Sequence, residues 1–475
     1  MQVKSKFCRT KIVCTLGPAS DSEEIVRALI KEGLDCARFN FSHGTHPEHL
    51  ERIKRFRRVE KEFGLKLPCM LDTKGPEIRL GKFAEPVILK EGQKYTLTTK
   101  EVPGDINQAT VSHKGITKDL KPGDTVLIDD GLVELTVDNL TETDVVCTVK
   151  NTGKISSNKG VNLPGIKTTL PSLTEKDIGD LKFGVENGFD FVAGSFIRTK
   201  EDCLNIKKYL KEFGGEHIKL IVKIENQEGL DNFDDILTAC EGVMVARGDL
   251  GVEIPVERIP IEQKKMIRKC NKAGKFVITA TQMLDSMITN PRPTRAEVTD
   301  VSNAIIDGSS CVMLSGETAG GKYPVEATAT MNRIAIRMEE SLEYKQIFLT
   351  KGLHHVDSAT DAIAHATVQL AYELNAKAII TPTKSGYTTR IVSKYRPKAD
   401  IIAFAPNYMV ARHLNLRWGV YTIPGTPWLN PEEMIKFSAK SSLDHGIVEK
   451  GDLAILTSGI KYGEGGTSSI QLHTI

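Results

Sequence analysis

Short β-branched runs alternating with helix-length amphipathic segments constrain this chain more than any other feature. The runs are KIVCTLG from Lys11, DCARFNFS from Asp35, PCMLDTK from Pro68, FDFVAGSF from Phe189, LIVKIEN from Leu220, GVMVARGD from Gly242, FVITATQ from Phe276 and CVMLSGET from Cys311. Helix starts are marked by Ser20–Asp21 before EEIVRALIKEG, and by Thr174 before a segment that closes on Gly188. Continuous apolar strands separated by helices call for a parallel sheet covered by helices. Eight such units predict an α/β fold, a (β/α)8 barrel with its active site at the carboxyl ends of the strands. An open doubly wound sheet is the alternative, and the count favours the barrel.

The rhythm breaks once. Between LDTK and FDFVAGSF lie GQKYTLTT and DTVLIDDGLVELTVDNLTETDVVCTVKN, with turn pairs at Pro103–Gly104 and Pro122–Gly123. This predicts an inserted all-β domain over residues 76–170, after strand 3, dividing a barrel of residues 1–75 and 171–350. Hanging over the carboxyl face it would act as a lid; a structural or oligomerising appendage is the plainer reading. A long helix from Val325 to about Glu343 leads to a second α/β pattern over 351–475, with strands AIITPT, IIAFAP, GVYTIP, LAILTS and SSIQLH. Its TPTKSGYTT turn can cradle a phosphate through backbone N–H groups and hydroxyls, or simply cap the helix that follows.

Composition narrows the class. With 63 Lys and Arg against 61 Asp and Glu, no global field draws nucleic acid or an anionic membrane. No apolar run approaches the roughly 20 residues that span a bilayer, and MQVKSKFCRTKIVC lacks a signal-peptide core. Nine scattered cysteines without a CxxC, several inside apolar runs, predict reduced thiols in a cytoplasmic enzyme.

The chemistry concentrates between Lys219 and Pro255. Lys223 and Glu225 are two apart and share a strand face, and Asp249 ends the next run. One isolated pair reads as a buried Lys–Glu bridge. A third charge beside glycines turns the preference toward a site for a hard divalent cation. On earlier strands Arg38 is a bidentate anchor for phosphate or carboxylate, while Asn40, Ser42, Asp72 and Thr73 offer oxygens, which capping also explains. Thr281, Gln282, Ser315 and Glu317 close the last two strands, where a hydroxyl with bound water can relay a proton or cap a helix. Two decoys fail. GETAGGKY fits GxxxxGK but has Tyr323 in place of the hydroxyl residue. His43, His46 and His49 lack an acidic partner set for metal, and His46 and His49 read as surface residues of a short helix start.

Taken together, TLGPAS, ARFNFSHG, LDTKGPEIR, KGVNLPG, SFIR, VKIENQEG, VMVARGDLGVEIP, ATQMLDSM, PTRAEVTDV, MLSGETA and TKSG resemble the pyruvate kinase family in order and across essentially the whole chain. The resemblance implies phosphoryl transfer from phosphoenolpyruvate to ADP, giving pyruvate and ATP. It implies Glu225 and Asp249 as ligands of Mg²⁺ or Mn²⁺. Asn40, Ser42, Asp72 and Thr73 become the K⁺ ligands, and Lys223 stabilises the transferring phosphoryl and the enolate. Arg38, Lys223, Gly248, Asp249 and Thr281 contact substrate, with Ser315 in the proton route. Asn40, His43, Arg79 and Lys159 contact nucleotide. Glu77 resembles the members that require K⁺, a lysine there replacing the cation. The family also implies a homotetramer and a phosphorylated effector at Thr383, Lys384, Ser385, Gly386 and Thr388. The loop KYGEGGTSSIQ lacks the tryptophan and arginine elements of the forms that respond to fructose bisphosphate. Ending at Ile475, the chain resembles bacterial members without an extra C-terminal domain. Two other readings stand beside this one. A metal-dependent barrel lyase or aldolase would not need ADP, and a catalytically silent paralogue would have no need of Lys223, Glu225, Asp249 and Thr281.

Overall fold

The computed structural model describes residues 8–350, 358–427, 430–459 and 467–475. Eight parallel strands close into a barrel: β1 (Lys11–Thr15), β2 (Leu34–Asn40), β3 (Cys69–Asp72), β4 (Phe191–Gly194), β5 (Lys219–Ile224), β6 (Gly242–Ala246), β7 (Phe276–Ala280) and β8 (Cys311–Leu314). Each pairs with its neighbours in sequence, and β8 closes on β1 through Lys11 and Cys311.

Alternation along each strand divides its side chains between two cores. Outward residues such as Ile12, Val222 and Val277 pack under the helices. Inward residues, among them Val13, Cys36, Met70, Phe191, Ile221, Phe276 and Met313, fill the barrel. Leu416, from beyond the eighth strand, joins that interior cluster and packs into it from the amino-terminal end. Two residues farther along, the inward positions turn polar: Thr15, Arg38, Asp72, Ser195 and Lys223 are all buried. A charged layer therefore sits directly on the apolar fill.

The helices begin where local chemistry dictates. Thr174 makes a capping box with Asp177, and Gly188, at φ 67°, follows the helix end. The expected start at Ser20–Asp21 moves slightly: Ser20 closes a short 3₁₀ turn, and the Ser22 Oγ caps helix Glu23–Glu32 by accepting from the Ile25 N–H. The long helix after β8 spans Pro324–Ser341, with proline in its first turn.

After β3 the chain forms a seven-stranded sheet running from Ile78–Arg79 to Gln108–Thr110, with its own apolar core. A bridge between Leu80 and Val111 joins its two ends. The C-terminal five-stranded sheet has the order Val420–Pro424, Asp400–Ala405, Ala378–Pro382, Leu453–Gly459, Thr467–Thr474. The last strand alone runs antiparallel in it. The expected boundary at 350/351 and residues 460–466 of the final loop touch positions outside the described residues.

Candidate active site

Lys223 is the centre of the polar layer. Its Nζ lies 2.9 Å from Glu225 Oε1 and 3.1 Å from Asp72 Oδ1, and donates to Ser195 Oγ at 2.8 Å. Arg38 reaches the other Asp72 oxygen at 2.6 Å through Nε and donates to Thr15 Oγ1 through Nη1. Burial alone would push the Lys223 ammonium down, but Asp72, Glu225 and Asp249 together raise it. For Asp72 burial works upward, yet Arg38 and Lys223 outweigh it and hold the carboxyl below its ordinary value. Both ends of this bridge thus keep their charges inside the barrel.

Glu225 is different. It is fully buried, and desolvation, reinforced by the nearby Asp249 carboxylate, pushes it up to about 8 despite Lys223 and a 2.6 Å hydrogen bond from the Phe196 N–H. A fully buried carboxyl raised further by a neighbouring carboxylate makes a place where a cation is favoured. Among the described residues no three His, Cys, Asp or Glu side chains form a cage. A pair suits Mg²⁺, which completes its shell with substrate oxygens and water.

Asp249 stands in the first turn of helix Arg247–Glu253 and not at a strand end as expected, because β6 stops at Ala246. A carboxylate there is favoured by the helix amino terminus. The preceding Gly248 N–H donates to Thr281 Oγ1 at 2.9 Å, and that hydroxyl donates to the Ala280 carbonyl. Thr281 and Gln282 both have positive φ, 64° and 52°. Such a conformation is a genuine outlier for a β-branched residue and persists only when its surroundings hold it. Arg247 supplies the restraint, donating to the carbonyls of Ala280 and Thr281 while Asp300 grips its guanidinium at 2.7 and 2.8 Å. Ser315 Oγ is buried without a hydrogen-bond partner among the described residues. Its N–H and that of Leu284 converge on Glu317, which ties the Thr281 and Ser315 loops together.

Asn40 and Asp72 are register partners on β2 and β3, and the Asn40 Oδ1 accepts from the Ser42 N–H. Thr73 Oγ1 accepts from the Ser195 N–H. Above them a cleft of about 300 Å³ opens between the inserted sheet and the barrel, lined by Arg79, Lys159, Asp129, Asp130, Asn226 and Asp249. Asn40 and His43 are not in its lining. Arg79 is held by Glu77, and Lys159 by Asp129 at 2.9 Å. Asn162 of the inserted sheet donates to Glu253 of the barrel at 2.9 Å across the cleft.

Two expectations for the histidines need correcting. The helix is His46–Glu62, four and more turns rather than a short start, and His49 is only 2% exposed. Its ring stacks on Phe41 and contacts the His43 carbonyl, so it belongs to the core; His46, partly exposed, bonds Asp180. In the C-terminal turn, Gly386 has φ 86° and its N–H is taken by Thr383 Oγ1, while Thr388 pairs with Thr467. Those two hydroxyls are thus engaged within the protein.

Sequence reasoning missed Ser195, Arg247 and Asp300. Ser195 was open to inference, since it continues the inward series Phe191, Ala193. Nothing local joins Arg247 to Asp300, which only the closed barrel brings together.

Family models match in two blocks: the pyruvate kinase barrel domain over residues 7–328 and the pyruvate kinase alpha/beta domain over 361–473. A pyruvate kinase of Clostridium acetobutylicum is 48% identical over 97% of this chain and 98% of that protein. Those of Geobacillus stearothermophilus and Bacillus licheniformis are 47% and 48% identical over 98% of this chain and 80% of theirs. Each stretch of sequence that builds the charged layer, the Thr281 loop and the cleft falls within the matched barrel, and the chain belongs to the pyruvate kinase family.

Proposed function

We propose that the chain transfers the phosphoryl group of phosphoenolpyruvate to ADP, yielding ATP and pyruvate. The observation that carries this reading is the buried Lys223, still charged, between Asp72 and Glu225 beneath a cleft that Arg79 and Lys159 line. Phosphoryl transfer depends on positioning and charge neutralisation more than on covalent help. Arg38 and Lys223 would face the phosphoryl oxygens as the bond from phosphorus to the enol oxygen breaks and one to the ADP terminal phosphate forms. Lys223 would then stabilise the enolate oxygen left behind. Arg79 and Lys159 would hold the nucleotide phosphates, with Asn40 and His43 as further nucleotide contacts.

Glu225 and Asp249 would hold a divalent cation, supplying Lewis-acid neutralisation of the substrate oxygens. The Glu225 carboxyl, raised by burial and by the Asp249 charge, fits that occupant. Asn40, Ser42, Asp72 and Thr73 would hold K⁺. The enolate carbon takes a proton to become pyruvate, and the Thr281 and Ser315 hydroxyls, on loops joined by Glu317, would position the water that delivers it. The inserted sheet, in contact with the barrel through Asn162 and Glu253, would exclude bulk water and limit hydrolysis.

The test is pyruvate formation with ADP, Mg²⁺ and K⁺ each omitted in turn. Full activity without ADP favours the lyase reading. No activity in the complete mixture, from folded protein and with candidate sugar phosphates added, favours the silent paralogue. A homotetramer and a phosphorylated effector held by the turn at 383–388, where Lys384 and Ser385 adjoin Gly386, complete the proposal.

A further inference from the structure

The chain leaving β2 makes a compact turn over residues 41–45 that carries Ser42 and His43. Gly44 permits it at φ 76°, and a Cβ there would meet Glu48 and His49 at 3.3 Å. The first peptide group of the turn is held at both ends. The Phe41 carbonyl accepts from Lys176 Nζ at 2.8 Å, and the Ser42 N–H of the same planar unit donates to Asn40 Oδ1 at 3.1 Å. Rotation of that plane breaks both bonds at once.

Lys176 stands in the first turn of the helix Glu175–Glu186, and Asp180, one turn on, aims it. The Asp180 carboxylate is 1% exposed and accepts from Lys176 Nζ at 2.7 Å on one oxygen and from His46 Nε2 at 2.6 Å on the other. A half-exposed lysine ordinarily keeps its rotamer freedom. Here a buried carboxylate takes one of its three donors and the Phe41 carbonyl a second. The rings add to the restraint: Phe41 stacks on His49 at 4.1 Å, His46 on Phe183 at 4.5 Å, and Phe41 lies 5.7 Å from Phe183. The His43 carbonyl accepts from His49 Nε2 at 2.8 Å, which fixes the far end of the turn.

We infer that Lys176, aimed by Asp180, is a positioning residue for the monovalent-cation site: by clamping the Phe41–Ser42 peptide it sets the Asn40 amide oxygen and the Ser42 hydroxyl at the spacing K⁺ requires. This rests on the proposed reading of Asn40, Ser42, Asp72 and Thr73 as the K⁺ ligands. Asp72 takes its place from Arg38 and Lys223, and Thr73 from the Ser195 N–H, so the clamp governs the β2 half of the site. Oxygen ligands hold a cation well only when their own positions are fixed by the shell behind them.

Lys176→Met removes the donor from a half-exposed position while keeping the side chain's length. The half-saturating K⁺ concentration in pyruvate formation should rise about tenfold, the effect of losing one charge-assisted hydrogen bond. The kcat at saturating K⁺ and the KM for phosphoenolpyruvate should stay within about twofold, a split that general loosening of the fold would not produce. Lys176→Arg, which keeps the charge and can donate to the same carbonyl, should return the K⁺ constant to within about threefold of the unsubstituted chain. Lys182→Met, at an exposed position of the same helix, should change nothing. Binding of Tl⁺, a K⁺ substitute followed by thallium NMR, needs no turnover and should weaken about tenfold in Lys176→Met. An unchanged K⁺ constant in Lys176→Met overturns the inference, as does a phosphoenolpyruvate KM that rises equally, or an arginine variant no better than methionine. An unsubstituted chain that binds no Tl⁺ overturns it whatever its turnover. Tl⁺ binding that weakens as expected, in a protein that makes no pyruvate, upholds the clamp and sinks the proposed reaction instead.

Discussion

At the scale of single residues, the polar layer combines charges that would each be costly alone. Lys223→Met removes the cation that holds Asp72 and Glu225 together, so two buried carboxylates are left facing one another. Turnover should fall by about a thousandfold or more, with the fold retained by circular dichroism; near-wild-type turnover would end the assigned role. His413 offers a test of stability instead. Burial, aided by Lys219 and His217, pushes its imidazole down to about 4 against weaker opposition from a hydrogen bond with the Asp190 backbone and from Glu241. The unfolded chain, titrating near 6.5, takes up the proton first as pH falls. Stability is therefore full above about pH 6.5 and is lost toward pH 4, by up to about 3 kcal/mol. Urea unfolding at pH 7 and pH 5 checks this, and His413→Gln should flatten that part of the profile. Much of the layer was legible because the two-residue strand period places Lys223 with Glu225. His49 was not legible, since a histidine stacked in a core has the same spacing as one on a surface.

Among the elements, the loop after β7 depends on a neighbour for its shape. Arg247 opens the helix that carries Asp249 and also holds the positive-φ Thr281, so one side chain sets the spacing between two proposed substrate contacts. Asp300→Ala should release that grip and lower kcat between about tenfold and a hundredfold, with a smaller change in KM for ADP. An unchanged kcat would remove Asp300 from the positioning scheme. The eight strands were readable because runs buried on both faces are continuously apolar. The placement of Asp249 was not, because a strand end and the first helical turn after it share one sequence signature. The step from Ser20 to Ser22 at the first helix has a similar origin, since both serines suit a cap and only the backbone decides which one closes the turn.

For the whole molecule, the cation requirement should be visible in bulk kinetics. Glu77 is occupied by Arg79 and places no positive charge of its own near Asp72, so replacing K⁺ by tetramethylammonium should cut turnover at least about tenfold. Undiminished activity would count against the proposed K⁺ site, and Glu77→Lys should restore turnover without K⁺. The three-part layout was legible from the break in strand–helix rhythm after LDTK and its resumption near FDFVAGSF. Contacts between the parts were not, since nothing in the sequence joins Asn162 to Glu253 or Leu416 to Cys311. That last contact matters beyond packing. The barrel borrows a side chain from outside itself to complete its interior, so the two units are not interchangeable modules. A chimera that grafts a foreign C-terminal half onto this barrel inherits an ill-fitting socket beneath its own chemistry unless the residue at position 416 matches in shape.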